Sequence, residues 1–406
     1  MSAYGLLVIG SGPGGISAAK SYLTAGGPGP VAIVTADIDE PYMRPPLSKE
    51  VLAGRKAPEP TPIDDLPAEV ELRTGATVTA IDLEARALTA AGEQLTFERL
   101  VLATGSRNVA VPGADDDAEI HQLRSLDDAR RLDAAATHAR SALVVGSGFI
   151  GCEAAASLAM RGVATTLVTP EEGPQLKRLG QQVSDQIASW LGDLGVELRT
   201  GVQVTGVAAP RTVHLDDGTT LAPDLVLAAV GVEPAAKDFL EGTGLQLHEG
   251  RVVADEYLAA AENVWVVGDA SRALNATAGR PIPVEHWGDA LTMGELAGTN
   301  AAGQEEPQPW TDVPGFFSTI GEHTIKYAAW GDGHEGAEFV ERAGGFTVWY
   351  TDADDTLVGV LTYNADDDYE RGSGLIAEGA SLTESLAGAR ADESSDGSDD
   401  DDSENA

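Results

Sequence analysis

The sequence predicts an α/β fold, and two repeated patterns carry the prediction. An apolar strand runs directly into a glycine-rich loop and a run of small residues twice, first from Leu6 and again from Leu143. The hexapeptide Val-Glu-Leu-Arg-Thr-Gly also occurs twice, ending at Gly75 and at Gly201. Because loop and hexapeptide come in the same order both times, the sequence predicts two related βαβ domains.

Both loops have the G-x-G-x-x-G spacing that holds a dinucleotide pyrophosphate. The first glycine allows a tight turn off the strand, the second lets the main chain approach the phosphates, and the third lets the helix pack close to the sheet. The helix N-terminus then offers free N–H groups and a positive dipole end. The predicted contacts are Gly10, Gly12, Pro13, Gly14 and Gly15 in the first loop and Gly146, Gly148, Ile150 and Gly151 in the second. Two dinucleotides on one chain indicate electron transfer between them.

The first Rossmann-like dinucleotide-binding domain is predicted over residues 1–112 and 241–306. Its second strand is residues 31–35, a hairpin insertion covers residues 70–97, and a buried strand follows at residues 100–103. The chain must return to this domain, because residues 263–267 are one more apolar strand, ended by Gly-Asp-Ala.

Residues 113–240 are predicted to form the second Rossmann-like dinucleotide-binding domain, which closes with an apolar strand and Gly231. A small α+β C-terminal domain is predicted at residues 307–390, with strands at 324–329, 346–350 and 357–363 and a helix opening at 366–368. Residues 391–406 contain eight acids and no Lys or Arg. That composition predicts a disordered acidic tail.

Composition excludes several classes of function. The net charge of −39 disfavours nucleic acid and anionic membranes as partners. No apolar run approaches the roughly 20 residues that span a bilayer, and the first strand lacks the basic start of a signal peptide, so we expect a cytoplasmic protein. The single cysteine, Cys152, excludes a Cys-x-x-Cys relay. The histidines show no ligand spacing, so no metal site is predicted.

Four further stretches carry a resemblance to a known family. They are Pro-Tyr-Met-Arg-Pro-Pro-Leu-Ser-Lys at residues 41–49, Ala-Thr-Gly at 103–105, Val-Gly-Asp at 267–269 and Glu-His-Trp at 285–287. Over roughly residues 4–370 the chain resembles the FAD-dependent ferredoxin and rubredoxin reductases, within the pyridine nucleotide-disulfide oxidoreductase superfamily but without its redox disulfide. The resemblance implies FAD at the first loop, NADH or NADPH at the second, and a C-terminal domain that covers the flavin.

The resemblance also implies roles for individual residues. It implies that Lys49 lies beside N5 of the isoalloxazine, where a cation stabilises charge on the reduced flavin, and that Glu153 pairs with it on the nicotinamide side. Asp269 is implied at the ribityl chain, and Trp287 at the start of a helix that points to the flavin pyrimidine. The other cofactor contacts implied are Arg44, Val78 and Arg124, the last two near the adenine, together with Thr104, Gly105 and Gly231.

The sequence departs from this family pattern at three positions. Ala36 stands where an acid is expected for the FAD ribose, which leaves Asp37 as the candidate. Thr169 stands where NADH users usually have an acid; Glu171 lies two residues on, and no Arg is placed to receive a 2′-phosphate, which favours NADH. The aromatic segment that opens the C-terminal domain reads Pro-Gly-Phe-Phe-Ser-Thr-Ile-Gly at residues 314–321, which leaves the electron acceptor open.

The function that follows is transfer of hydride from NAD(P)H to FAD and of single electrons onward to a ferredoxin- or rubredoxin-type carrier, by a monomer or homodimer. Two alternatives stay open. One is an NAD(P)H oxidase or quinone-type reductase with a diffusible acceptor. The other is a protein like apoptosis-inducing factor, in which nucleotide binding controls protein association.

Overall fold

The computed structural model describes residues 3–385 apart from residues 64, 236, 305 and 384. The predicted tail at residues 391–406 lies outside this range. Up to residue 108 the elements are β1 (Ala3–Ile9), α1 (Pro13–Thr24), β2 (Val31–Val34), a π-helical turn (Leu47–Val51), β3 (Val70–Arg73), β4 (Val78–Asp82), β5 (Ala87–Ala90), β6 (Glu93–Leu102) and β7 (Ser106–Asn108).

The next part of the chain contains the second glycine loop. Its elements are α2 (Leu126–His138), β8 (Ser141–Val145), α3 (Phe149–Met160), β9 (Ala164–Val168), α4 (Leu176–Leu179), α5 (Gln181–Asp193), β10 (Glu197–Arg199), β11 (Val204–Ala208), β12 (Thr212–Leu215), β13 (Thr220–Leu221), β14 (Leu225–Ala228), β15 (Val232–Pro234) and α6 (Lys237–Leu240).

The remaining elements complete the chain. They are β16 (Leu247–His248), β17 (Arg251–Ala254), β18 (Ala259–Ala261), β19 (Val264–Val266), a 3-10 turn (Gly268–Ala270), β20 (Ser271–Asn275), β21 (Arg280–Pro283), α7 (Trp287–Ala302), β22 (Gly315–Ile320), β23 (His323–Ala329), β24 (Gly336–Arg342), β25 (Gly345–Thr351), β26 (Leu357–Tyr363) and α8 (Asp366–Glu378).

Two sheets with parallel central strands carry the glycine loops, as the α/β prediction requires, and the first of them also has antiparallel pairs at β18–β19, β4–β5 and β5–β6. The first has the order β18-β19-β6-β1-β2-β3, with β5 attached to β6 and β4 to β5. The second has the order β10-β9-β8-β14, and all its pairs are parallel. The strand at β19 pairs in parallel with β6, so the chain does return to the first sheet as its apolar run predicts.

The repeated hexapeptide forms the edge strand of each parallel sheet. Strand β3 pairs with β2, and β10 pairs with β9. The prediction of a hairpin insertion over residues 70–97 is therefore wrong at its start. The antiparallel insertion begins at β4 and runs through β5 into β6, which continues unbroken into the buried sheet. The hexapeptide joins the sheet because Val70 is buried while its neighbour Glu71 is exposed, the alternation of an edge strand.

Small residues bring helix α7 against helix α1. A Cβ on Gly294 would lie 2.3 Å from the Gly14 carbonyl oxygen, and one on Gly298 would lie 2.2 Å from the Ala18 carbonyl oxygen. Larger side chains at these positions would push the two backbones apart. The glycines of α7 therefore hold this helix directly over the start of α1.

The C-terminal part is a five-stranded sheet of order β22-β23-β26-β25-β24, followed by α8. The predicted strands at 324–329, 346–350 and 357–363 and the helix at Asp366 are confirmed. Two strands, β22 and β24, were not predicted. In β24 no residue is fully buried and three are charged, so its sequence lacks the apolar signal of a core strand.

The described chain divides into two compact units. The first runs up to Thr311 and includes Ser318–His323, and the second consists of Asp312–Phe317 and the residues from Thr324 onward. The finer division at residues 112, 240, 306 and 390 stays a prediction. Among the described residues no helix is both long and apolar enough to cross a bilayer.

Candidate functional site

The two glycine loops are built by the same hydrogen bonds. Gly10 N–H donates to the carbonyl of Val34 at 2.8 Å, and Gly146 N–H donates to that of Val168 at 2.8 Å. One residue further on, Ser11 Oγ donates to Thr35 Oγ1 at 3.0 Å. The corresponding bond in the second loop, from Ser147 Oγ to Thr169 Oγ1, is 2.8 Å long and equally buried. Each loop is thereby tied to the end of its neighbouring strand.

The first glycine of each loop stands where no other residue fits. Gly10 has a φ of +106° and Gly146 a φ of +102°, in the left-handed region that favours glycine. A Cβ at these positions would lie 2.2 Å from the Ala103 carbonyl oxygen and 2.3 Å from that of Ala229. Strand ends therefore pack directly against both loops.

The second glycine of each loop faces open space instead. Around Gly12 and around Gly148 no atom lies within 4 Å of the position a Cβ would take. Each is the N-cap of its helix, α1 or α3, where backbone N–H groups have no helical partner. Beside the first loop, Thr104 Oγ1 is buried with no hydrogen-bond partner among the described residues. An open cradle of donors and a buried hydroxyl fit a bound pyrophosphate at the first loop.

Both acids that follow the second strands hold equivalent positions. Asp37 N–H donates to Thr35 Oγ1 at 3.2 Å, and Glu171 N–H donates to Thr169 Oγ1 at 3.3 Å. Each therefore lies at the strand end where Rossmann-type sites place the acid for a ribose. In Glu171, Oε2 accepts from the backbone N–H of Lys177 at 3.1 Å.

A polar network surrounds Asp37. Its Oδ2 accepts the hydroxyl of Tyr42 at 2.8 Å and lies 3.6 Å from Nη2 of Arg44. The Tyr42 hydroxyl accepts in turn from the backbone N–H of Leu126 at 2.8 Å. Burial raises the pKa of Tyr42 to about 12, so the phenol keeps its proton and can donate to Asp37. Arg44 donates through Nη1 to the carbonyl of Arg124 at 2.9 Å, which joins this loop to the start of α2.

Asp269 is the centre of a second polar cluster. Its Oδ2 accepts from Ser106 Oγ at 2.5 Å and from Arg124 Nη2 at 2.9 Å. Burial lowers the pKa of Arg124, against the opposing pull of Asp269, so this guanidinium is partly removed from water. Its Nη2 lies 3.2 Å from where a Cβ on Gly105 would be. Arg251 donates to the carbonyl of Asp269 and pairs with Glu285.

The structure thus brings Arg124, implied near the adenine, into direct contact with Asp269, implied at the ribityl chain. Val78, the other residue implied near the adenine, lies buried on β4. Gly231 has a φ of +111°, and no atom lies within 4 Å of the position that a Cβ would take. The space next to this residue, beyond the end of β14, is therefore open to a ligand.

Lys49 and Glu153 form a buried ion pair. The distance from Lys49 Nζ to Glu153 Oε2 is 2.9 Å, and their side chains are 13% and 3% exposed. Lys49 lies on the π-helical turn, and its Nζ also donates to the Pro45 carbonyl at 3.1 Å. Ser157 Oγ holds this turn against α3 by donating to the carbonyl of Ser48 at 2.7 Å. Glu153 is the fifth residue of α3, beyond the first turn where the helix dipole acts most strongly.

Three more groups complete the surroundings of Glu153. Ser48 Oγ donates to Oε2 at 2.5 Å, while Ser318 Oγ donates to Oε1 at 2.7 Å. The backbone N–H of Thr319 donates to the same Oε1 at 3.3 Å. A carboxylate that accepts this many bonds is held in one orientation.

Helix α7 begins at Trp287, as predicted, with His286 as its N-cap. Burial lowers the pKa of His286 to about 4, with a further decrease from Arg178. The imidazole is therefore neutral at physiological pH. The positive end of the α7 dipole then adds positive potential at this helix start.

Cys152 is fully buried, and its Sγ donates to the Ser147 carbonyl at 3.3 Å. Burial raises the pKa of this thiol, with a smaller contribution from Glu153, so it stays protonated and unreactive. No group of metal-ligating side chains occurs among the residues that the structure describes.

Sequence reasoning missed several groups at these clusters. Ser48 and Tyr42 stand inside the 41–49 motif, where their position beside Lys49 and Arg44 was a usable signal. The contacts of Ser106 and Ser318 gave none, since their partners lie 163 and 165 positions away, although Ser318 stands inside the segment at residues 314–321. Arg251, 18 positions from Asp269, lies outside every motif.

The chain is similar to known proteins over most of its length. The family model described as pyridine nucleotide-disulphide oxidoreductase matches residues 4–294. The epsilon subunit of NADH-dependent phenylglyoxylate dehydrogenase from Aromatoleum evansii is 31% identical, with 88% of each chain covered. The ferredoxin–NAD(+) reductase component of the biphenyl dioxygenase system from Paraburkholderia xenovorans (strain LB400) is 30% identical, with 83% of each chain covered.

A solved structure is also similar to this chain in fold. The crystal structure of the covalent putidaredoxin reductase–putidaredoxin complex matches with a TM-score of 0.85 at 26% identity, and 93% of each chain is covered.

Proposed function

This chain belongs to the pyridine nucleotide-disulphide oxidoreductase family, and we propose that it is an FAD-dependent NADH oxidoreductase that passes electrons to a ferredoxin- or rubredoxin-type carrier. Its relatives are reductases of this kind by name, and they match it over most of their length. We assign FAD to the first glycine loop and NADH to the second.

One observation carries the proposal, the buried pair of Lys49 and Glu153. Lys49 lies on the turn between β2 and β3 of the first sheet, and Glu153 comes from the helix that follows the second loop. The pair therefore joins these two parts of the chain, with its charged atoms 2.9 Å apart and both side chains largely buried. Such an arrangement supports charge transfer between two bound nucleotides.

When bound, FAD supplies the conversion between two-electron and one-electron chemistry. Lys49 contributes a fixed positive charge, which favours the added negative charge of a reduced ring system. The N-terminus of α7 contributes a second positive potential from its backbone N–H groups. Glu153 balances Lys49 and keeps its ammonium in place. Asp269 and Arg124 offer hydrogen bonds to hydroxyl and phosphate groups of the same cofactor.

The second strand end supports NADH. Thr169 Oγ1 already accepts from Ser147 Oγ and from the backbone N–H of Glu171. Glu171 is therefore the acid at this strand end. A carboxylate accepts well from the two ribose hydroxyls of NADH and repels a 2′-phosphate. NADH is also the nucleotide that two of the similar proteins carry in their names.

The two alternative functions differ from this proposal in their acceptor. We test them by mixing the purified yellow protein with one equivalent of NADH without oxygen and following flavin absorbance. Oxidised ferredoxin, a quinone or air is then added. We expect fast bleaching by NADH and fast recovery with ferredoxin only. Recovery with quinone or air alone would favour the oxidase alternative. Long-lived reduced protein that changes its oligomeric state would favour the interaction protein.

We expect the protein to act in the cytoplasm as a monomer or homodimer. Size-exclusion chromatography with light scattering, with and without NADH, measures the oligomeric state directly. A nucleotide-dependent change in mass would argue against a simple reductase.

A further inference from the structure

The hydrogen bonds around Glu153 divide between its two oxygens. Oε2 faces Lys49 Nζ at 2.9 Å and Ser48 Oγ at 2.5 Å. Oε1 faces Ser318 Oγ at 2.7 Å and Thr319 N–H at 3.3 Å. An ionised carboxylate has about four lone-pair positions, and the four donors fill them.

Because its four lone-pair positions are occupied, this carboxylate can accept a hydrogen bond from a new donor only by losing one of its present hydrogen bonds. Its side chain is 3% exposed, so water does not offer a replacement. Losing a donor would leave a buried charge without full compensation, which is costly. The four donors therefore fix the position of the Glu153 carboxylate.

We propose that Glu153 serves as a fixed anchor for the Lys49 ammonium and that Ser318 is the positioning residue that makes the anchor rigid. Ser318 holds the oxygen opposite the one that Lys49 uses, so the two bonds together fix the carboxylate plane. With Ser318 removed, only the longer bond from Thr319 restrains Oε1. The carboxylate can then rotate, and Lys49 follows it away from the position it needs.

The source of Ser318 gives this role a structural basis. Ser318–His323 belongs to the first compact unit although the preceding residues of the chain belong to the second. Three contacts besides those to Glu153 hold the segment there. Gly321 lies against Leu194, Glu322 pairs with Arg55, and the His323 ring stacks on Trp190 with centroids 4.5 Å apart. The Ser318 hydroxyl is thus presented to Glu153 by a segment that is anchored independently.

The inference rests on the proposed function, because the rate that it concerns is flavin reduction by NADH. The test variant is Ser318→Ala, and Ser141→Ala is the control. Ser141 Oγ accepts from Asp224 N–H at 3.0 Å at the start of β8, the end away from the glycine loop. Each variant loses one serine hydroxyl that is hydrogen-bonded to an acidic residue, Glu153 for Ser318 and Asp224 for Ser141.

In FAD-loaded protein, Ser318→Ala should lower the limiting rate of flavin reduction about tenfold and change the half-saturating NADH concentration by less than about twofold. That separation is expected because Lys49 acts on the reacting charge and not on NADH binding. Ser318→Cys keeps the volume and a weak donor and should restore about a third of the wild-type rate. If Ser318→Ala does not fold, the comparison of Ser318→Cys with wild type carries the test, with a threefold loss of rate expected.

A second readout does not depend on NADH or on flavin. Acetic anhydride is applied to protein stripped of nucleotide, and acetylation of Lys49 is measured by peptide mass spectrometry against Lys326. Ser318→Ala should raise acetylation of Lys49 about threefold without changing Lys326, because the reagent reaches an ammonium more easily when Glu153 holds it less firmly.

Two outcomes would overturn the inference. One is an unchanged limiting rate and unchanged Lys49 acetylation in Ser318→Ala. The other is a general rise in acetylation at both lysines, which would make Ser318 merely structural. Failure of the proposed function looks different, since wild-type protein would then not be bleached by NADH while the Lys49 acetylation result would still stand.

Discussion

The two glycine loops share one hydrogen-bond scheme but differ in what covers them. In the first, Gly14 lies under α7, where a Cβ would meet the Ala290 carbonyl oxygen at 2.9 Å. In the second, Ile150 holds the position that corresponds to Gly14, and 45% of its surface is exposed. The neighbouring Phe149 ring is covered by Arg178 of the short helix α4, whose Cζ lies 5.7 Å from the ring centroid. The same backbone motif therefore forms a covered site at the first loop and an exposed site at the second. We expect the motif to determine that a dinucleotide binds, and the packing above the loop to determine how slowly the dinucleotide is released.

The largest expected effect comes from filling the open space at each loop in turn. Gly12→Val should yield colourless or unstable protein, because its side chain would occupy the FAD pyrophosphate site. Gly148→Val should stay yellow and accept electrons from dithionite, yet lose about a hundredfold or more in reduction by NADH. Flavin content and stopped-flow reduction measure both. If the two variants exchanged these properties, the assignment of the nucleotides would be reversed.

Removing the positive charge of Lys49 should have the next largest effect on flavin reduction. We expect Lys49→Gln to retain FAD but to lower the limiting rate of reduction by about 10²-fold, the typical loss when one preorganised charge stabilisation is removed. Lys56→Gln is the control, since Lys56 is exposed and donates to Thr61. Equal rates in Lys49→Gln and wild type would show that this cation does not act on the flavin.

The acids at the two strand ends should affect different nucleotides. Glu171→Gln should raise the half-saturating concentration of NADH about five- to tenfold, the loss of one hydrogen bond from a charged group, and leave FAD bound. Asp37→Asn should instead weaken FAD retention with no effect on the apparent NADH affinity. Steady-state kinetics and dialysis of both variants check this division. A loss of NADH affinity in Asp37→Asn alone would contradict it.

The burial of His286 at the N-terminus of α7 should make the free energy of unfolding depend on pH. Because the pKa of His286 is lowered to about 4, the unfolded chain binds a proton that the folded chain refuses as pH falls through about 6.5. Stability is therefore full well above pH 6.5, and we expect about 2 to 3 kcal/mol to be lost between pH 6.5 and 4. Denaturant unfolding of wild type and His286→Asn measures the difference. A pH slope that persists in the variant would assign it to other groups.

The sequence predicted the repeated parts of the molecule better than the unique ones. Both loops, both parallel sheets and the return of β19 follow from apolar runs and glycine spacing, which are local signals. The hexapeptide was assigned to a hairpin because its register against β2 is a long-range property. Strand β24 was missed because an exposed edge strand needs little apolar surface.

The site divides in the same way. Glycines in the loops could be identified from spacing alone, whereas the pairing of Lys49 with Glu153 came only from the family resemblance. Ser318 stands inside the aromatic segment at residues 314–321, but the pattern of that segment does not predict a contact with Glu153. Arg251 lies outside every motif. Contacts of this kind depend on how the chain packs, which a single sequence does not reveal.

Retention of nucleotides by the wild-type protein tests the central claim most directly. The protein is loaded with FAD and NAD⁺, dialysed exhaustively, denatured and analysed for both nucleotides. We predict one FAD per chain and no NAD⁺, with NAD⁺ binding again when it is added back and lost in Gly148→Val. Retained NAD⁺ together with lost FAD, or loss of both, would contradict a closed first site and an open second one.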